Sequence, residues 1–193
     1  KIRHWFNRRR FWQKAVILTI IFSLELFTLH KTIEFFFFPV PNPSYGVSFS
    51  VKYANELGLN WKETYTAALD DLGFRRFRLM SYWDLGEPEQ GKYYFDDLDY
   101  QLNEAAKRGA SVSLAIGLRQ PRWPECHQPQ WAKDIYGTDA WQPAMDEYIT
   151  AVVKRYKAHP AIESWQLENE ALNNWFGECE GAISRDRLLH EIE

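Results

Sequence analysis

The sequence predicts an α/β domain that follows one long apolar helix near the amino terminus. From residue 45 onward, short β-prone runs alternate with segments that have the apolar periodicity of a helix. Such alternation predicts a parallel sheet with helices packed outside it. The long loops, residues 81–95, 118–138 and 169–183, all follow predicted strands. Because a barrel of parallel strands carries its active site at that end, the pattern favours a (β/α)8 TIM barrel.

A doubly wound sheet is the main alternative to the barrel. The first strand-to-helix turn, however, lacks the G-x-G-x-x-G phosphate loop that opens a dinucleotide-binding sheet. We therefore expect only the first four or so βα units of a barrel, preceded by an N-terminal transmembrane helix.

The first 38 residues predict a basic segment and a membrane anchor. Residues 1–14 contain six Lys and Arg and no Asp or Glu. Residues 15–38 are mostly apolar, interrupted by Glu25 and a few later polar residues, and are long enough to span a bilayer. Basic residues before an apolar segment predict that residues 1–14 stay in the cytoplasm. We expect an uncleaved, single-pass signal-anchor in the cell membrane, with the main domain extracytoplasmic; a cleaved signal peptide and an amphipathic or buried helix are the alternatives.

The remaining chain divides into a short linker and one main domain. Residues 39–44 contain three prolines, which predict a stiff spacer, and residues 45–193 form the domain. Outside the basic terminus the chain is acidic, which argues against a nucleic acid as its partner. Cys126 and Cys179 are able to pair in an exported chain, although their spacing leaves the pairing open. No spacing indicates a metal site, and no cofactor is implied.

Each element of the main domain has a local signal. Strands are predicted at residues 45–50, 74–80, 111–117 and 162–167. Helices are predicted at residues 61–72, 96–106, 145–156 and 184–193. Gly73 and Gly109 end the first two helices, as glycine does at a helix carboxyl terminus. The third strand is almost continuous in small and apolar residues, which is typical of a strand buried on both faces.

The most specific motif joins the third helix to the fourth strand. The helix ends in Arg155-Tyr-Lys-Ala-His-Pro-Ala-Ile162, and the strand ends in Trp165-Gln-Leu-Glu-Asn-Glu170. This pattern resembles the fourth βα unit of the clan A retaining glycoside hydrolases, which include family 5 cellulases and family 42 β-galactosidases. The resemblance implies that Glu170 is the general acid/base and that Asn169 hydrogen-bonds the sugar 2-hydroxyl. A glycosidic oxygen leaves readily only when protonated, which is the chemistry that a carboxylic acid supplies.

Two further loops extend the resemblance. The segment from Arg78 through Trp83 to Asp99 resembles the second strand and loop of family 42-like enzymes, with their R, W, EP, G-x-Y-x-F and LD pattern. The resemblance gives Arg78 the role of supporting the nucleophilic carboxylate; Arg76 competes because it has the same strand parity. Trp83 is expected either to stack on a sugar or to anchor its loop in the core.

The third loop, Pro121-Arg-Trp123, resembles the P-x-W that follows the third strand in such enzymes. Trp123 is therefore a candidate platform for a sugar, with packing as the alternative. Trp175, just beyond Glu170, is a second candidate.

The resemblance implies hydrolysis of β-linked oligo- or polysaccharides by a retaining double displacement. That mechanism needs a second carboxylate ~5–5.5 Å from the acid/base. In the clan this nucleophile follows the seventh strand, so we expect it beyond residue 193 and expect the chain, as a fragment, to be inactive. Asp84, Glu87 and Glu168 lack the context of a nucleophile. A non-catalytic carbohydrate-binding or structural protein on the same scaffold is the alternative.

Overall fold

The computed structural model describes residues 2–37, 44–173, 175–179 and 183–193, and only the backbone of residues 2–10, 35 and 37. All of the predicted linker except Ser44 lies outside the described residues. The chain divides into two compact units, Lys1–Ser44 and Tyr45–Glu193, which are described separately.

Apart from Ser44, the described residues of the first unit form one helix, α1, at Ile2–Phe37. Its segment Phe11–Glu34 is long and apolar enough to cross a membrane, judged by length and composition alone. The hydroxyls of Thr19, Thr28 and Thr32 each donate to a backbone carbonyl three or four residues earlier, at 2.8–2.9 Å. The segment predicted as a helix at residues 15–38 is therefore helical from residue 15 to Phe37, residue 38 lies outside the described residues, and the threonine hydroxyls of the helix are satisfied within it.

The second unit alternates strands and helices as the sequence predicts. The strands are β1 (Val47–Ser48), β2 (Arg76–Met80), β3 (Ser111–Ile116) and β4 (Ile162–Leu167). The helices are α2 (Val51–Glu56), α3 (Trp61–Asp70), α4 (Trp83–Gly86), α5 (Asp96–Lys107), α6 (Gln130–Asp134), α7 (Trp141–Tyr156) and α8 (Arg185–Ile192). The four strands pair in parallel in the order β1-β2-β3-β4. Three short helices, α2, α4 and α6, were not predicted from the sequence because none is long enough to show a helical period.

The core lies between one face of the sheet and the helices. Leu79 and Leu114, which are paired on neighbouring strands, are fully buried there against Leu102 of α5 and Val152 of α7. Burying such side chains stabilises the fold by ~1.5–3 kcal/mol each. This core fixes the strands against the helices and so positions the loops that follow the strands.

The opposite face of the sheet is polar and open. Arg78 and Ser113 line it together with Ser48 and Ser164, around a cavity of about 480 Å³. The prediction that β3 is buried on both faces is therefore wrong for the described residues, since Ser111 and Ser113 are only half-buried. The physical reason is that the four strands form an open sheet, and this part of its polar face borders the open cavity.

Candidate active site at the carboxyl ends of the strands

Three loops meet at the carboxyl ends of β2, β3 and β4. Because the strands are parallel, the loop after each one starts from the same edge of the sheet. The residues predicted for the site lie in or beside these loops: Trp83 after β2, Trp123 after β3, and Asn169, Glu170 and Trp175 after β4. Arg78 lies within β2.

Glu170 lies in the turn that follows β4. Its φ is 49°, in the left-handed region, and its side chain is exposed. The amide of Asn173 donates from Nδ2 to Glu170 Oε2 at 2.7 Å, and the Asn173 backbone N–H donates to the Glu170 carbonyl at 2.7 Å. This turn presents the carboxyl group to solvent at the end of the sheet, so a ligand is able to reach it. The acid/base role of Glu170 stays a prediction.

Asn169 is buried and held from three sides. Its backbone N–H donates to the Arg119 carbonyl at 2.8 Å. Its side-chain Nδ2 donates to Glu125 Oε1 at 3.4 Å, and its Oδ1 accepts from Gln166 Nε2 at 3.4 Å. The protein therefore sets the orientation of this amide itself.

A buried ion pair supports both loops. The side chains of Arg119 and Glu125 are 2% and 4% exposed and form a salt bridge through Arg119 Nη2 and Glu125 Oε2. The guanidinium also donates to the backbone carbonyls of Asn173 and Phe176, the latter at 2.7 Å. A buried guanidinium needs an opposite charge and hydrogen-bond acceptors, and these partners supply both to Arg119. No role was assigned to either residue from the sequence, because an Arg and a Glu six residues apart in a loop carry no pairing signal.

Glu168 is the carboxyl whose burial most changes its chemistry. It accepts from the backbone N–H groups of Leu118 at 2.8 Å and Arg119 at 2.5 Å. Burial and the nearby Glu191 carboxyl raise the pKa of Glu168 above its ordinary value, while Arg187 opposes the shift. This carboxyl joins the end of β4 to the loop after β3.

A glycine makes room for the Glu168 carboxyl. Gly117 has a φ of 101°, and a Cβ added there would lie 2.5 Å from Glu168 Oε1. Both the backbone conformation and the close approach therefore require glycine at this position.

Arg78 and Arg76 lie on the open face of the sheet but have different partners. Arg76 forms an ion pair with Glu163 at 3.2 Å. Arg78 donates to Ser48 Oγ at 2.9 Å and to Gln166 Oε1 at 3.4 Å. Within the described part of the chain Arg78 therefore hydrogen-bonds neutral side chains only, which leaves its charge available to a carboxylate.

Trp83 is a core residue. It is fully buried, its Nε1 donates to Glu87 Oε2 at 2.8 Å, and its ring packs edge-on against Trp131 at 5.4 Å. A ring without accessible surface has no face for a sugar, so the sugar-stacking prediction for Trp83 is wrong and the loop-anchoring alternative is correct. Glu87 also accepts from the Gly91 N–H at 2.7 Å, and so it fixes this loop.

The other two tryptophans are accessible. Trp123 is 52% exposed and Trp175 is 98% exposed. The Trp123 ring packs edge-on against Phe176, with 5.5 Å between ring centroids. The structure also answers the open question of the cysteines, because Cys126 and Cys179 form a disulfide that links the loops after β3 and β4.

The three local carboxylates considered as nucleophiles are all engaged. Asp84 forms an ion pair with Lys52, Glu87 holds the loop after β2, and Glu168 is buried against backbone N–H groups. Within the described residues, no group of three or more His, Cys, Asp and Glu is arranged to hold a metal ion.

Two solved structures with a similar fold are described as a GH5_18 protein and a β-galactosidase. A GH5_18 protein from Streptomyces cattleya, solved in complex with Manβ1-4GlcNAc, matches with a TM-score of 0.58 at 16% identity, over 78% of this chain and 40% of that chain. The β-galactosidase from Halorubrum lacusprofundi matches with a TM-score of 0.50 at 22% identity, over 65% and 21% of the two chains. These likenesses show an α/β fold with a parallel sheet that resembles part of a TIM barrel.

The class defined by this fold and sequence is the clan A glycoside hydrolases. The family model of glycoside hydrolase family 42, described as beta-galactosidase, matches residues 60–185, well over half of the chain. The chain belongs to this family. This result confirms the resemblance to the clan.

Two curated relatives are similar to parts of the chain, and both are named as enzymes that act on β-linked sugars. The β-galactosidase BbgII of Bifidobacterium bifidum is 32% identical over 104 residues, which are 46% of this chain and 15% of the relative. The endo-1,4-β-xylanase 3 of Hypocrea jecorina is 28% identical over 121 residues, which are 62% of this chain and 33% of the relative. The chain therefore spans a third or less of the length of these relatives.

Proposed function

We propose that the protein hydrolyses β-linked glycosidic bonds by a retaining double displacement in which Glu170 is the general acid/base. One observation carries this proposal: in a family 42 chain, the Asn169-Glu170 pair lies one residue beyond β4, at the carboxyl end of the sheet. Glu170 is exposed there, while Asn169 is buried and already oriented by its neighbours. β-Galactosides are the first substrates to test, because the family description names that activity.

The described residues account for one half of this mechanism. Glu170 would donate its proton to the leaving oxygen as the C1–O bond breaks and the nucleophile bonds to C1. It would then take a proton from the water that releases the sugar. Asn169 would hydrogen-bond the 2-hydroxyl of the sugar. Arg78 would form an ion pair with the nucleophilic carboxylate.

The second carboxylate is not expected to be Asp84, Glu87 or Glu168. Asp84, Glu87 and Glu168 each have structural partners. We therefore expect the 193 residues by themselves to show no turnover, and we expect the nucleophile to belong to a further part of the complete barrel.

Substitution of Glu170 tests the acid/base assignment in a form of the protein that cleaves aryl β-galactosides. For phenyl galactosides, which need a proton on the leaving oxygen, Glu170→Gln should lower kcat/KM by about 10²–10⁴-fold. For dinitrophenyl galactosides, whose leaving group needs no proton, the first step should change far less. The measurement is the kcat/KM of both substrates by absorbance.

The matched control is Glu163→Gln, which removes an exposed carboxyl from the same strand. Equal losses for both leaving groups, or unchanged rates, would remove Glu170 from this role. If a form with the complete barrel binds sugars but turns over no β-glycoside, the non-catalytic alternative would be favoured.

We further propose that Phe11–Glu34 crosses the membrane as an uncleaved anchor. Its length and composition support a span, and its threonine hydroxyls already have partners inside the helix. The six basic residues of segment 1–14 support a cytoplasmic amino terminus and a catalytic domain outside the cytoplasm.

A further inference from the structure

Helix α8 contacts the rest of the second unit mainly through charged side chains. None of its residues is buried, whereas α5 and α7 each bury an apolar stripe. The Arg187 side chain of α8 is nevertheless only 14% exposed, and its guanidinium lies 4.7 Å from the centre of the Trp141 ring of α7. A short helix without a buried apolar face gains little from packing, so its charged contacts determine whether it stays docked.

Two buried carboxyls share the Arg187 guanidinium. Glu168, which directly follows β4, accepts from Arg187 Nη2 at 3.2 Å. Glu191, four residues later on α8, accepts from Arg187 Nε at 2.7 Å. Both glutamate side chains have no exposed surface. We call these three side chains the α8 cluster. With both carboxyls ionised, the cluster would contain one uncompensated negative charge out of contact with water.

Hydrogen bonds compensate only part of this charge. The Glu168 oxygens accept from the backbone N–H groups of Leu118 at 2.8 Å and Arg119 at 2.5 Å. Glu191 Oε2 is buried and accepts no hydrogen bond from the described residues. Burial of an unpaired charge is unfavourable, and a single proton on the two carboxyls would make the α8 cluster neutral.

The other titrating groups near the cluster border the cleft between α7 and α8. They are Asp146, His190 and Glu193. His190 Nε2 is paired with Asp146 Oδ2 at 2.8 Å, and this hydrogen bond raises the pKa of the imidazole. Glu193 is exposed. Because His190 and Asp146 satisfy each other, neither supplies the positive charge that the α8 cluster lacks.

We infer that Glu168 and Glu191 hold one proton between them, and that this proton keeps α8 docked against the end of β4. The proton belongs to the pair and not to either carboxyl alone. Glu168 is thereby a positioning residue for the turn that presents Glu170, a part of the inference that rests on the proposed function of Glu170. The link is short, because Glu168 directly precedes Asn169 and its carboxyl binds the backbone of the loop after β3.

Docking of α8 should therefore weaken as the pH rises. Burial and the Glu191 carboxyl raise the pKa of Glu168, while Arg187 opposes the shift. In a released α8 the carboxyls would be in water, with the ordinary glutamate pKa of about 4.3. Between that value and the raised one, only the docked state keeps the proton. Docking is thus most stable below this range and weakens by up to about tenfold per pH unit as the pH rises through it.

Infrared spectroscopy of the 193-residue chain in lipid nanodiscs detects the proton directly. A protonated carboxyl has a C=O stretch above the amide I band, which an ionised carboxylate lacks. The parent should show this band at pH 6 and lose it by pH 10. Glu191→Gln should lack it at both pH values, because the remaining Glu168–Arg187 pair is neutral. Protonated carboxyls elsewhere occur in both proteins and cancel in the difference spectrum.

Two further variants check the assignment of the band. Glu168→Gln should remove the same band, since it leaves one carboxyl for the Arg187 guanidinium. This variant also keeps the test valid if Glu191→Gln fails to fold. Glu163→Gln removes an exposed carboxyl of β4 that is paired with Arg76, and it should keep the band.

A nitroxide on α8 reports docking by electron paramagnetic resonance. Leu189→Cys provides an exposed attachment position on α8, and both native cysteines are already joined in the disulfide. The ratio of mobile to immobile label in the parent should rise about tenfold or more between pH 5.5 and 9. In Glu191→Gln the rise should be several-fold smaller. The His190–Asp146 pair is present in both proteins, so its own titration cancels in this comparison.

The positioning role is tested in a form of the protein that cleaves aryl β-galactosides. The dinitrophenyl leaving group needs no proton, so the first step with this substrate does not depend on the protonation of Glu170. The kcat/KM of the parent for this substrate should fall at alkaline pH as α8 is released. Glu191→Gln should remove most of that fall, because its docking no longer depends on the shared proton.

Several results would overturn the inference. An infrared band that is the same in the parent and Glu191→Gln would exclude the shared proton. A label that stays immobile up to pH 9, or that responds equally to pH in both proteins, would exclude its effect on docking. Identical alkaline profiles of kcat/KM would remove the positioning role of Glu168. The infrared and spin-label measurements involve no turnover, so their failure is distinct from a failure of Glu170→Gln in the cleavage assay.

Discussion

The Arg119 side chain is the residue on which most of the candidate site depends. Its guanidinium binds the Glu125 carboxylate and two backbone carbonyls of the loop after β4. Its own backbone carbonyl accepts from the Asn169 N–H at 2.8 Å. Burying a charge is unfavourable unless hydrogen bonds and an opposite charge compensate for the lost water. Removing one of these partners should therefore destabilise the folded protein.

Removing the Glu125 charge should therefore lower the stability of the folded protein. Glu125→Gln leaves the buried guanidinium of Arg119 without its counter-ion, and we expect a loss of about 3–5 kcal/mol in the free energy of unfolding. Urea denaturation followed by tryptophan fluorescence measures this loss. Glu163→Gln, which breaks the half-exposed pair with Arg76, is the control and should cost about 1 kcal/mol or less. Similar losses in both variants would show that the buried pair stabilises the fold no more than the half-exposed pair does.

A buried histidine near the site should make stability depend on pH. Burial and the nearby Lys52 lower the pKa of His127 to about 4, while Asp84 opposes the shift. The unfolded chain titrates near 6.5 and so binds more protons than the native state between these values. The stabilisation is complete above pH 6.5 and is lost as the pH falls toward 4, by roughly 3 kcal/mol at most.

Comparison with His127→Gln isolates this effect from the other titrating groups. Unfolding free energies of both proteins, measured from pH 7.5 to 4, should converge or cross as the pH falls, because only the parent loses the histidine contribution. A constant difference across that range would mean that His127 keeps an ordinary pKa in the folded protein.

At the scale of elements, the strands and long helices follow from local patterns. β4 begins and ends where predicted, and α5 and α3 agree within two residues. The two helices were predictable because one buried face sets the apolar period of each. The short helices α2, α4 and α6 could not be predicted, since four to six residues are too few for a period. They exist because tertiary contacts hold them, as the buried Trp83 holds α4.

The candidate site divides in the same way. A motif indicated three positions that the structure leaves open to a ligand or orients: Glu170 and Trp123 are exposed, and Asn169 is held by hydrogen bonds. Trp83 was wrong as a sugar platform because a motif does not show whether a ring points to solvent or to the core. The Arg119–Glu125 pair was missed because a contact across loops depends on the fold and leaves no spacing in the sequence.

At the scale of the whole molecule, each of the two units has a feature that is typical of exported proteins. The main unit contains the Cys126–Cys179 disulfide, and disulfides persist mainly in oxidising compartments outside the cytoplasm. The first unit carries the apolar segment Phe11–Glu34 behind a basic terminus. Both observations support the proposal that the domain is exported and anchored by its amino-terminal helix.

The anchor proposal predicts how the protein fractionates. The chain should stay with membranes after alkaline carbonate extraction. Leu18→Arg together with Ile21→Arg should release most of it into the soluble fraction, because each arginine near the middle of a span costs about 2.5–3.5 kcal/mol. Leu72→Arg, an equally exposed leucine in the main unit, is the matched control and should stay bound. Release of the parent protein would contradict the span, and a shortened mature amino terminus by mass spectrometry would instead identify a cleaved signal.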